Sequence, residues 1–132
     1  MTALTEGTDS PLFQLTADQR EIQSMVRAFS DARIAPNALD WDRDHHFPTD
    51  VFREAAELGL GAIYSREEFG GSAMSRLDAA LIFEALATGC PTISAYVSIH
   101  NMATWMIDTY GSPEQRAKWI PSMATMDTLG AY

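Results

Sequence analysis

Tyr110-Gly111-Ser112-Pro113-Glu114-Gln115-Arg116-Ala117-Lys118-Trp119-Ile120-Pro121 is the stretch on which the fold turns. Gly111 is placed to stop one helix. Ser112 offers its hydroxyl to an orphan N–H, Pro113 supplies a first helical residue with φ already set, and Gln115 stands where its side chain reaches back to the cap. The run predicts a helix from Pro113 to about Trp119, joined to the preceding one by a tight turn. Pro121, which has no amide hydrogen, is expected to interrupt it, with room for one more turn over 122–126.

Working back from that turn, Thr92 to Tyr110 carries Ile93, Tyr96, Val97, Ile99, Met102, Trp105, Met106 and Ile107, interrupted by Ser94, Ser98, His100, Asn101 and Thr104. An apolar helix dotted with small polar residues has the make-up of a cavity wall. Before it, Ser75-Arg76-Leu77-Asp78 reads as a cap, followed by a helix bearing Leu77, Ala80, Leu81, Phe83 and Leu86 until Thr88-Gly89-Cys90-Pro91. This helix is apolar on nearly every side, so it is expected to be the most buried; Glu84, if buried on it, would need an arginine partner. Ser65-Arg66-Glu67-Glu68-Phe69-Gly70-Gly71-Ser72 is a loop by its glycines.

Further back, Pro48-Thr49-Asp50 opens a helix with Val51, Phe52, Ala55 and Leu58, stopped by Gly59 and Gly61. Trp41 to Phe47 reads as a polar connection. Thr16-Ala17-Asp18-Gln19 is a capping box, and Ile22, Met25, Val26, Phe29 and Ile34 make an amphipathic helix ending near Pro36. At the other end, Thr128-Leu129-Gly130-Ala131-Tyr132 turns toward strand character. The expected fold is all-α: five main helices in a bundle-like domain over residues 12–127. Residues 1–11 form a disordered arm, and residues 128–132 the first strand of a β domain beyond this chain.

Composition sets the outer bounds. The 132 residues suffice for one core, and 46% hydrophobic with 20% charged residues is the balance of a globular domain. Eighteen acidic against nine basic side chains give a net charge of -9, which disfavours nucleic acid and anionic lipid as partners. Cys90 is the single cysteine, so no intrachain disulfide or multi-cysteine zinc site can form. No apolar run approaches the ~18 residues of a spanning helix. Met1–Glu6 has neither a secretory nor a transit layout, and the expected location is a bacterial cytoplasm.

Glu67-Glu68-Phe69-Gly70-Gly71, Phe83-Glu84-Ala85-Leu86-Ala87 and the run from Tyr110 to Pro121 together resemble the N-terminal domain of acyl-CoA dehydrogenases, the resemblance spanning Leu15 to Tyr132. Within that family, Ser75–Asp78, Glu84–Cys90, Ser98–Met102 and Trp105–Asp108 resemble the members acting on short branched-chain acyl-CoA of the isobutyryl type. The resemblance implies a homotetrameric FAD enzyme that oxidises an acyl-CoA at the α and β carbons and passes electrons to an electron-transferring flavoprotein. It also implies that the α-proton base belongs to a C-terminal domain, and that the principal flavin-binding loop begins just after Tyr132. No catalytic residue is expected in this chain. Tyr132 matches the first position of the flavin-contacting stretch, and Ser94, Ser98 and Met102 match the helix that borders the acyl pocket.

Plainer readings stand beside these. Serines four apart on a helix commonly bond back to the preceding turn, and a stripe such as Met102, Trp105 and Met106 is commonly core. His100 lacks an accompanying nucleophile motif and is expected to be a hydrogen-bonded helix histidine. Asp42, Asp44, His45 and His46 are the only cluster with metal-ligand chemistry, and a solvated loop accounts for them. Two rival functions follow: a stand-alone helical scaffold keeping this fold, and, ranked last, a metal or haem binder using His45, His46 and His100.

Overall fold

The computed structural model describes residues 14–132 and, over that range, contains helices and turns with no strand; the arm expected over residues 1–11 lies outside the described residues. The helices are α1 (Ala17–Phe29), α2 (Ala38–Asp44), α3 (Thr49–Glu57), α4 (Arg76–Ala87), α5 (Pro91–Tyr110) and α6 (Pro113–Ala124), with a π-turn at Ser30–Ile34 and a 3-10 turn at Glu67–Phe69. Three of the starts are reciprocal capping boxes. In each, the N3 amide donates to the cap hydroxyl while the N3 side chain accepts from the cap amide: Thr16 with Gln19, Ser75 with Asp78, Ser112 with Gln115.

α4 lies between α1 and α5, and α5 in turn packs on α6. This explains why α4 shows so little amphipathicity, since Ala79, Leu81, Ile82, Ala85 and Leu86 must face neighbours on two sides. Glu84 is exposed, so the condition for an arginine partner does not arise. The core gathers Val26 and Ile34, Val51, Phe52 and Ala55 of α3, Leu60 and Ile63, the buried face of α4, Ile93 and Val97 of α5, and Met126.

Two expectations need correction. Five main helices were expected, and the described residues hold six, because Ala38–Asp44 is helical and takes in residues 41–44 of the expected polar connection. α2 buries no residue, so it leaves no apolar periodicity in the sequence; Arg43 holds Asp40 and Asp44 at 2.9 Å each, and Trp41 packs against the core edge. The helix after Ser112 also runs through Pro121 to Ala124. The bond that proline forgoes would have gone to the carbonyl of Ala117, an exposed residue, where a missing backbone bond costs least.

The π-turn ends α1 for a reason visible in the packing. In a regular helix the stripe Val26–Ser30–Ile34 would drift by about 40° at each step. The wider turn, closed by the Ala35 amide donating to the Ser30 carbonyl at 2.9 Å, keeps Ser30 and Ile34 both fully buried. The Ser30 hydroxyl donates to the Leu86 carbonyl at 3.2 Å and so ties this turn to the end of α4.

Candidate functional site

α5 organises the site, and its three faces have different tasks. The inward face carries Ser94, Val97, Asn101, Thr104 and Asp108, all buried. The Asn101 side-chain carbonyl accepts from the Ile63 amide at 2.7 Å, and its amide donates to the Leu60 and Val97 carbonyls at 2.8 and 2.9 Å. Asp108 accepts from the Arg66 amide and from its Nε, each at 3.2 Å, and the same guanidinium donates to the Asp108 main-chain carbonyl. Together they fix the segment from Leu60 to Arg66 against α5. In the loop that follows, Gly70 takes φ of 102°, which a side chain resists, and Gly71 lies so close to the Ser65 and Arg66 carbonyls that a Cβ has no room.

One flank of α5 carries Ser98, Met102 and Trp105, which share a stripe at helical spacing and are partly exposed. Beside it, the Arg76 guanidinium stacks 3.7 Å over the Tyr64 ring and 4.7 Å over Trp105. Burial raises the Tyr64 phenol pKa, Arg76 acts against that rise, and Tyr132 adds to it. The Tyr132 hydroxyl points at the Met102 sulfur at 3.8 Å while most of its ring is exposed.

The opposite flank carries Tyr96, His100 and Ala103. His100 is fully buried, and both ring nitrogens are engaged: Nδ1 accepts from the Gly130 amide at 3.0 Å, so Nε2 bears the proton and donates to the Met123 carbonyl at 2.9 Å. Burial pushes the His100 pKa below the ordinary histidine value, with the Met123 and Gly61 backbone acting in the opposite sense. The Tyr96 hydroxyl donates to the Gly130 carbonyl at 3.3 Å. Between Gly130 and Tyr132 the chain therefore crosses the back of α5, from the His100 flank to the Met102 flank.

The four residues singled out in the sequence thus fall into two groups. Met102 and Tyr132 meet, and Ser98 lies one turn before Met102 on the same flank. Ser94 is buried and donates its hydroxyl proton to the Phe83 carbonyl of α4 at 2.7 Å, a cross-helix bond in place of a bond to its own preceding turn. His100 is a hydrogen-bonded helix histidine. Among the described residues no three His, Cys, Asp or Glu side chains converge as metal ligands, and Asp44 is engaged by Arg43. His45 and His46 instead border a largely apolar cavity of about 210 Å³, with Trp41, Phe52, Cys90 and Tyr96. Sequence reasoning passed over Tyr96, Asn101, Asp108 and Arg76. Asn101, Thr104 and Asp108 recur at three- and four-residue spacing within an apolar helix, and that spacing was the available signal for a polar inward face.

With this geometry in place, the comparisons identify the class. The family described as acyl-CoA dehydrogenase, N-terminal domain, matches residues 16–127, and the chain belongs to that family. Mitochondrial isobutyryl-CoA dehydrogenase of Dictyostelium discoideum is 49% identical over 123 residues, covering 93% of this chain and 30% of that protein. The Bos taurus mitochondrial isobutyryl-CoA dehydrogenase is 44% identical over 122 residues, covering 92% and 29%. A glutaryl-CoA dehydrogenase from Mycobacterium smegmatis in complex with FADH2 superposes with a TM-score of 0.83 at 28% identity, covering 88% of this chain and 30% of that one. The chain thus spans about 30% of the length of the curated relatives it matches.

Proposed function

We propose that the chain is the N-terminal helical part of a flavin-dependent acyl-CoA dehydrogenase that oxidises a short branched-chain acyl-CoA, of the isobutyryl kind, between its α and β carbons. Its contribution is one wall of the cleft in which acyl chain and flavin meet. The observation that carries this reading is the contact between Met102 and Tyr132, which joins the partly open flank of α5 to the end of the chain.

The residues present suit such a wall. Tyr132 is an aromatic side chain left exposed at the end of a firmly held segment, and a flat ring system packs well against such a face. Met102 is unbranched and adaptable and bounds a short apolar pocket, with Ser98 one turn away. Ser94 stands behind that wall and holds α5 on α4. FAD, when bound, supplies the acceptor for the hydride leaving the β carbon. Residues of this chain then orient the acyl group and exclude water from it, and the base that takes the α-proton belongs to a later domain. Thr128–Tyr132 leads into a β domain, electrons pass on to an electron-transferring flavoprotein, and the complete enzyme is a homotetramer. Among the described residues no helix is long and apolar enough to cross a membrane. The two isobutyryl-CoA dehydrogenases above are named as mitochondrial.

An antibody raised against this domain tests the reading on source cells. A band near three times the 14.6 kDa of the chain is expected, and a sole band near 14.6 kDa would favour the stand-alone scaffold. The larger protein, purified, should show flavin absorbance that isobutyryl-CoA bleaches faster than a long straight-chain acyl-CoA does. The 132-residue chain mixed with FAD and the same substrate should leave the spectrum unchanged.

A further inference from the structure

We infer that His100, seconded by Tyr96, is a positioning residue: it clasps the Gly130 peptide and thereby sets where Tyr132 and the flavin-contacting stretch sit against α5. The inference rests on the functional reading above for the flavin, and on geometry alone for the clasp.

Four observations support it. Both backbone groups of Gly130 are taken by side chains one turn apart on α5, the amide by His100 Nδ1 at 3.0 Å and the carbonyl by the Tyr96 hydroxyl at 3.3 Å. A Cβ at Gly130 would stand 2.7 Å from the Met123 methyl, the movable end of its side chain, and 3.2 Å from the Ala103 Cβ, so the exit segment lies packed closely against α5 and α6. The second nitrogen of the imidazole is anchored to the Met123 carbonyl near the end of α6, so the ring is fixed at both ends. Two residues beyond the clasp, Tyr132 reaches Met102. A neutral imidazole with one acceptor and one donor meets these demands. A protonated imidazole does not, because Nδ1–H would then face the Gly130 N–H, donor against donor.

The surroundings leave nothing to offset that proton. From α5 the ring meets the Tyr96 phenol, from α6 the Met123 backbone, from the turn after α3 the Gly61 backbone, and from the exit segment Gly130; among the described residues no carboxylate or guanidinium acts on its titration.

The test uses H100N, H100L and Y96F in the full chain and in the longer flavin-carrying protein. Asparagine places a carbonyl oxygen where Nδ1 stands and does not titrate; leucine offers no acceptor. At neutral pH the Gly130 amide in the wild type and in H100N should be protected from exchange at least tenfold more than in H100L. Y96F, at a partly exposed position, should give a smaller loss with the fold intact. Flavin release from the longer protein should follow the same order. In the wild type, protection and flavin retention should both decline as the pH falls below about 6.5, whereas H100N should hold both. Gly130 exchange that is unchanged in H100L and Y96F would overturn the clasp. Released Gly130 with unmoved flavin retention would overturn the link from clasp to flavin. A wild type that never holds flavin would sink the functional reading, and Gly130 exchange would still decide the clasp.

Discussion

The amide of Asn101 stands in for partners that the Leu60–Ile63 turn cannot find in its own backbone. Its replacement by alanine leaves the Ile63 amide and the Leu60 carbonyl buried and unpaired, and N101A is expected to lose about 2–4 kcal/mol in urea denaturation. His100 gives a pH dependence whose sign follows from its depressed pKa. The unfolded state binds the proton more readily, so stability is intact above the ordinary histidine pKa of about 6.5. It declines as the pH falls from there through the folded value. Asp78 adds a second acid arm. The Ser75 hydroxyl and amide, with Gln19, hold its pKa below the ordinary carboxylate value, and that contribution is lost only as the pH falls below about 4. An acid titration followed by circular dichroism should show H100N stable across the first interval and unfolding with the wild type in the second. Ser75 as the partner of Asp78 was legible as a cap, whereas His100 was read as hydrogen-bonded and its partner lies 30 positions away in a glycine, with no local pattern to connect the two.

At the scale of elements, what the sequence made legible was whatever is decided within one or two turns. The capping boxes at Thr16, Ser75 and Ser112 are local grammar, and each forms as read. Removing the Ser75 or the Ser112 hydroxyl with alanine should cost about 1 kcal/mol apiece, measurable by thermal or chemical denaturation. α2 escaped notice because a helix that buries nothing has no apolar repeat to read. Pro121 misled for a related reason: the bond it forgoes belongs to Ala117, an exposed residue, so the helix continues to Ala124 instead of ending. P121A restores the amide and should stabilise the chain by about 1–3 kcal/mol; a loss of stability would show that the proline's ring, and not its missing bond, matters there. Ser94 shows the limit for the site. It was read as sharing a face with Ser98, yet it is buried while Ser98 is partly exposed; whether a hydroxyl meets solvent or a neighbouring carbonyl depends on how far α4 stands from α5, which periodicity does not encode.

Across the molecule the apolar surface is unevenly covered. Met106, Tyr110 and Trp119 are exposed by 47%, 76% and 40% and, with Ile107, Gly111 and Gln115, border a groove of about 330 Å³ between the end of α5 and α6. An apolar face of this kind on a lone chain favours self-association. Charge opposes it, since a net -9 repels a second copy until salt screens it. Sedimentation should therefore show a monomer at low salt and dilution, with association growing as either is raised, and W119K should keep the chain monomeric. A chain that remains monomeric at high salt and concentration would show that the groove is satisfied from within.

The π-turn at Ser30–Ile34 makes the chain tolerant of residue count at that point. Its five residues turn the chain about as far as four residues of α-helix do, so deleting one exposed residue there would let the turn close as ordinary α-helix with the faces on either side kept. Val26 would stay on the core and the Gln19 amide would keep Asp78, whereas a deletion in the regular part of α1 would rotate everything before it by about 100°. Removal of Asp31 or Ala32 should therefore cost less stability than removal of an exposed residue in the middle of α1, such as Arg20 or Glu21. When relatives are aligned through this segment, a one-residue gap marks the loss of the wide turn, with the first helix seated as before.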